Sequence, residues 1–126
     1  MDLLKIRQAP FHMYPNSSVL TITGDCGYKY NKALTIHDWV NIRQLEGVKS
    51  IHLRRPLTIQ FAKTIQLPPG VQTIHIAHLQ NAIALNYFPW TTDSHSVTIR
   101  DWEKNDYNDR EIILPTTIKQ ISFSVS

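Results

Sequence analysis

Residues 33–55, ALTIHDWVNIRQLEGVKSIHLRR, lie without a gap over residues 56–78, PLTIQFAKTIQLPPGVQTIHIAH. Leu34-Thr35-Ile36 falls over Leu57-Thr58-Ile59, Ile42 over Ile65, Gly47-Val48 over Gly70-Val71, and Ile51-His52 over Ile74-His75. Eight of the 23 aligned positions are identical, and others keep their character, as in Ser50/Thr73 and Leu53/Ile76. A fixed period of this length is the mark of an architecture built from stacked units. The spacing extends outward. Aliphatic-x-apolar pairs stand at Ile51/Leu53, Ile74/Ile76, Val97/Ile99 and Ile121/Phe123, at steps of 23, 23 and 24 residues. An earlier pair, Leu20/Ile22, precedes Ile51 by 31 residues, so the first unit carries an insertion.

Each pair sits in a run of period two and reads as a short strand with one apolar face. Strands recurring at a constant step stack side by side in parallel, as in a solenoid. The expected fold is therefore mainly β, a short parallel β-solenoid of about four units of roughly 23 residues. Residues 17–126 would form the array and residues 1–16, with Pro10, Phe11, Tyr14 and Pro15, a cap, all in a single domain over 1–126. Between strands, Leu34/Ile36, Leu57/Ile59, Ile83/Leu85 and Ile112/Leu114 would line the opposite wall. Residues 35–47 read as one helical arm, with the helix near 36–46. Thr35 is placed to cap it with Asp38 three residues on, Trp39, Ile42 and Leu45 share a face, and Gly47 follows its end. The aligned arm, 58–70, holds Pro68, Pro69 and β-branched residues and is expected to be extended. The alternative fold is a small antiparallel β-sandwich, whose strands also recur at intervals.

Two stretches share the form L-P-x-x-aliphatic-x-x-I: Leu67 to Ile74 and Leu114 to Ile121. With the strands that follow them, they resemble the leucine-rich-repeat superfamily in its short form, as in BspA-like and FNIP-like repeats. Weaker versions run from Leu45 to Leu53 and from Phe88 to Ile99. Where an asparagine or cysteine ladder would follow the strand, this chain has Arg55, His78 and Asp101. The resemblance implies a binding surface on the strand face, for another protein.

With the aliphatic pairs inward, His52, His75, Thr98 and Ser122 point out as one column, extended upward by Thr21. One flanking column is Thr23, Arg54, Ala77, Arg100 and Ser124; the other is Val19, Ser50, Thr73, Ser96 and Gln120. The candidate partner-binding residues are Ser50, His52, Arg54, Thr73, His75, Thr98 and Arg100, together with Tyr107 in the charged, aromatic stretch 100–111. The last strand, 118–125, alternates Ile121, Phe123 and Val125 with serines and reads as an edge open to pairing, including self-association with another copy.

The chain has 126 residues, 42% of them hydrophobic and 18% charged, as in a globular protein rather than a disordered one. Four glycines argue against a glycine-rich phosphate loop. One cysteine excludes an internal disulfide and fits a reducing compartment. Charges interrupt the first apolar run, and no stretch is long enough to span a membrane. The expected location is cytoplasmic, with signal-less export compatible with the same features. A net charge of +3 is small for phosphate-driven affinity, so a small basic β protein binding nucleic acid through Arg54, Arg55, Arg100, Lys49, Lys104 and Tyr28-Lys29-Tyr30 is the alternative function.

Catalytic constellations are weak. His52 and His75 on adjacent strands lack a third metal ligand beyond the remote options His78 and Cys26, and neither C-x-x-C nor H-E-x-x-H occurs. Cys26 in Gly24-Asp25-Cys26-Gly27 has no base placed beside it by spacing. Asp106-x-x-Asp109 lacks the glycine and terminal glutamate of an EF-hand loop. The reading is non-enzymatic, with no catalytic residue, metal or cofactor.

Overall fold

Alternating aliphatic and polar residues set five of the six short strands along the chain, and the computed structural model pairs all six in sequence order. It describes residues 9–27, 33–100 and 112–123. The strands are β1 (Phe11–His12), β2 (Val19–Ile22), β3 (Ser50–Leu53), β4 (Thr73–Ile76), β5 (Ser96–Ile99) and β6 (Gln120–Phe123). They form one sheet in the order β1-β2-β3-β4-β5-β6. From β2 to β6 every pairing is parallel, with Leu20 beside Ile51, Ile51 beside Ile74, Ile74 beside Val97 and Val97 beside Ile121. The 31-residue and 24-residue steps are thus absorbed between strands without a slip in register. Two expectations are corrected. The sheet is mixed, because β1, from the segment read as a cap, runs antiparallel to β2. An antiparallel sandwich is not formed: the described residues make one sheet with a single antiparallel pairing.

The ladder starts before each strand. The N–H groups of Lys49 and Ser50 both donate to the Ser18 carbonyl, at 2.8 and 3.1 Å. Those of Gln72 and Thr73 donate to Lys49, those of His95 and Ser96 to Gln72, and those of Lys119 and Gln120 to His95, all within 2.8–3.2 Å. Three residues ahead of β2, β3 and β4 the chain turns through the left-handed region, at Asn16 (φ 63°), Gly47 (φ 78°) and Gly70 (φ 84°). Glycine and asparagine adopt this conformation at least cost.

The segments between strands coil back by different means. α1 (Ile36–Arg43) begins at a complete capping box: the Asp38 N–H donates to the Thr35 hydroxyl at 3.1 Å and the Thr35 N–H donates to the Asp38 carboxylate at 2.8 Å. It ends earlier than the pattern predicts, with Gln44 as its C-cap, and Gly47 turns the chain into β3 instead of terminating the helix. The next arm is not extended throughout: α2 spans Ile59–Thr64. Its first turn is capped by Thr58, whose hydroxyl accepts from the Phe61 N–H at 3.0 Å. Pro68 and Pro69 lie beyond its last residue, where proline stops a helix without forbidding one upstream. The third arm contains a 3₁₀ turn, Ala82–Asn86, capped by the Asn81 side chain, which accepts from the Ile83 N–H at 3.0 Å. Thr35, Thr58 and Asn81 follow one another at 23 residues, so the cap recurs at the strand step.

The core lies between the sheet and these arms. Leu20, Ile22, Ile51, Leu53, Ile74, Ile76, Val97 and Ile99 enter it from the sheet, and Trp39, Ile42, Leu57, Phe61, Ala62, Ile65, Leu85 and Phe88 from the arms. Bulk is complementary at equivalent positions: Trp39, Ala62 and Leu85 are one step apart, as are Phe61 and Ala84. Two inward expectations fail. Ile36, at the start of α1, is 83% exposed. Ile121 and Phe123 keep the inward side of β6 but are 42% and 54% exposed, because no further strand or arm among the described residues closes over them. No helix among the described residues is long and apolar enough to cross a membrane.

Candidate functional site

With one face of each strand buried, every second side chain stands on the other. The register therefore sets Thr21 beside His52, His52 beside His75, His75 beside Thr98 and Thr98 beside Ser122. Ser50 and Thr73 are partners at the strand starts, between Val19 and Ser96. At the other end, the N–H groups of Arg54, Ala77 and Arg100 donate to the carbonyls of Ile22, Leu53 and Ile76 at 2.9, 3.0 and 2.9 Å. These bonds carry the ladder one residue past β3, β4 and β5 and hold the three side chains in a row.

The row and the histidine column enclose a shallow hollow of about 280 Å³. His52, Arg54, His75, Ala77, Thr98 and Arg100 supply its surface. Sequence reasoning sets Ala77 in the flanking column without marking it as a site residue; in the structure its methyl group lines the hollow together with the two arginines of the row. Ser50 and Thr73 are on the same face but away from the hollow. Tyr107 lies outside the described residues, as do Trp102, Lys104, Asp106, Asp109 and Tyr28-Lys29-Tyr30.

The imidazoles of His52 and His75 meet at a ring-centroid distance of 4.2 Å with their planes 51° apart. Partial burial disfavours charge on His52, and the neighbouring His75 and Arg54 repel a second positive charge there, so its pKa is lowered. Partial burial likewise lowers the pKa of His75. Near neutral pH the pair is uncharged, and each ring offers one N–H donor and one acceptor nitrogen.

Other chemistry is less well supported by the geometry. Among the described residues, no group of three or more His, Cys, Asp or Glu side chains could hold a metal ion. The Cys26 thiol is pushed up by burial and then by the charge of Asp25, which disfavours the thiolate needed for nucleophilic attack. Asp25 in turn accepts from Arg55 at 3.4 Å across the loops that follow β2 and β3.

No family model, curated protein or solved structure matches the chain.

Proposed function

We propose that this chain is a non-enzymatic binding module, a short leucine-rich-repeat-like solenoid that engages another protein through its strand face and adjoining loops. The solenoid reading is supported by four consecutive parallel pairings in unbroken register and by return arms capped at the same 23-residue step. The observation that carries the function is the hollow lined by His52, Arg54, His75, Ala77, Thr98 and Arg100. It gives an otherwise uniform polar face one place where a protruding group is recognised. Its cations are gathered at one spot and the net charge is +3, which suits one protruding side chain better than the length of a nucleic-acid backbone. A second contact is supported at β6, where Ile112, Leu114, Ile121 and Phe123 border an apolar hollow of about 360 Å³. Pairing of β6 with another copy would cover it.

The test is affinity capture from an extract of the native host, comparing the wild type with an Arg54→Ala/Arg100→Ala variant and with Gln60→Ala on the return side. A protein retained by the wild type and by Gln60→Ala but lost from the double variant is the expected result. Equal retention by all three would reject the strand face as the binding surface, and loss of capture on nuclease treatment would favour nucleic acid.

A further inference from the structure

The register sets His52 beside His75, and their ring centres are 4.2 Å apart. Their surroundings differ in one respect that the backbone fixes. Side chains two residues apart on a strand share a face, roughly 7 Å from one another. His52 is followed at that spacing by Arg54, and His75 by Ala77. Both positions belong to one row, since the Arg54 and Ala77 N–H groups donate to Ile22 and Leu53 on the strand before. His52 therefore has a permanent cation beside it on its own strand, and His75 has a methyl group. The other neighbours of the pair are Thr21 on β2, Thr98 on β5, and Ser50 and Thr73 at the strand starts, all uncharged. Among the described residues of the column and its flanking rows, the remaining charged or titratable groups are Arg100, beyond Ala77, and His12, on β1 opposite Thr21. No Asp or Glu is among the described residues lining the hollow.

Two like charges 4.2 Å apart lie well inside the roughly 8–10 Å over which salt screens exposed charges. The pair therefore takes up its two protons in two steps that belong to the pair. Partial burial disfavours charge at both rings, and His52 is opposed in addition by His75 and then by Arg54. We infer that His52 and His75 form a two-step proton switch on the strand face, in which His75 takes the first proton and His52, held between that charge and Arg54, takes the second. The inference rests on the reading of the strand face as a binding surface and names how that surface is regulated. At neutral pH the column from Thr21 to Ser122 is uncharged. The first step puts one positive charge into it while the rings stay in contact, imidazole against imidazolium. The second step sets two charges side by side, and the rings swing apart. Each proton also converts an acceptor nitrogen into a donor. An acidic or acceptor group of a partner on this face is therefore gripped more tightly at each step.

The test follows the ring resonances of the whole chain by NMR from about pH 8 to about pH 5, over the range in which the amide spectrum shows the sheet intact. Two midpoints are expected, the higher at His75. The nuclear Overhauser contact between the rings should persist through the first and vanish with the second. His75→Gln should raise the His52 midpoint, because the charge that opposes it is gone. His52→Gln should leave the His75 midpoint nearly where it was, since His52 is uncharged when His75 titrates. Exchanging the flanks, Arg54→Ala with Ala77→Arg, should reverse the order. A His52 midpoint that ignores His75→Gln, or an order unchanged by the exchange, would overturn the switch. A second arm takes the host protein captured by the wild type and measures its retention on either side of the first midpoint, for the wild type and for His52→Gln/His75→Gln. Retention should rise on acidification in the wild type and stay level in the double variant. Level retention in both would overturn the regulation while leaving the binding surface in place. Capture of no protein at all would reject the binding surface, and the ring titration would still decide the switch.

Discussion

Along the strand side, residues one step apart are near copies: Ile51, Ile74 and Val97 face the core in register, and His52 stands beside His75 on the opposite face. Along the return side, the same step sets the eight-residue α1 beside the six-residue α2 and then a 3₁₀ turn. The difference follows from where the backbone finds its hydrogen bonds. A strand's N–H and C=O groups must be met by the neighbouring strands, so every unit has to present them at the same places. A helical turn meets its own, so an arm is held only to a volume and a cap. The return wall accordingly exchanges Trp39 for Ala62 and Phe61 for Ala84 at equivalent positions while keeping Thr35, Thr58 and Asn81 as caps.

The largest expected effect tests whether the variable wall is nonetheless closely packed. Phe61 is fully buried, and Phe61→Ala should lose about 3–5 kcal/mol in denaturant unfolding. Within the regular wall, Ile74→Ala should cost about 2–5 kcal/mol. Ile121→Ala, at the same register position in β6, should cost clearly less because Ile121 is already 42% exposed. Equal losses at the two sites would mean that the end of the sheet is covered. The turns that join the walls come next. A Cβ at Gly47 or Gly70 would meet no heavy atom within 4 Å, so Gly→Ala there tests the left-handed backbone alone, at about 1–2 kcal/mol each. Cap removal by Thr58→Ala or Asn81→Ala should cost about 1 kcal/mol. A smaller loss at Asn81 would show that the 3₁₀ turn depends on its cap less than a helix does. The smallest effect is on pH dependence. Both histidine pKa values are lowered in the fold, so the unfolded chain binds more protons as pH falls through about 6.5 and toward the folded values. Stability should be full above that range and decline on acidification, and His52→Gln with His75→Gln should flatten the decline in urea midpoints.

The same contrast sets what could be read from the chain. Period-two alternation at a steady step places every outward residue from Thr21 to Ser122 in its column, because a one-residue slip would turn Leu20, Ile51 and Ile74 out of the core. The polarity of the face is legible for the same reason. The arms are harder because local signals compete. Pro68 and β-branched residues argue against a helix that Thr58, aligned under Thr35, would have announced as a cap. Asn16 gives no warning of its left-handed backbone except its place three residues before a strand. The hollow is legible only once three consecutive strand ends are compared, since Arg54, Ala77 and Arg100 line it together. The antiparallel β1 and the exposure of Ile121 are end effects, set by where neighbours stop and not by any motif.

The shared carbonyl ahead of each strand has a consequence for engineering. Ser18, Lys49, Gln72 and His95 each receive two N–H groups from the unit that follows, so the connection offered by one unit is interchangeable with that of the next. A chain carrying residues 56–78 twice in tandem should accept the duplicate as an additional rung, lengthening the sheet by about 4.8 Å and placing a second His75 and a second Ala77 in their rows. The protein can thus be treated as a ruler whose graduation is one 23-residue cassette.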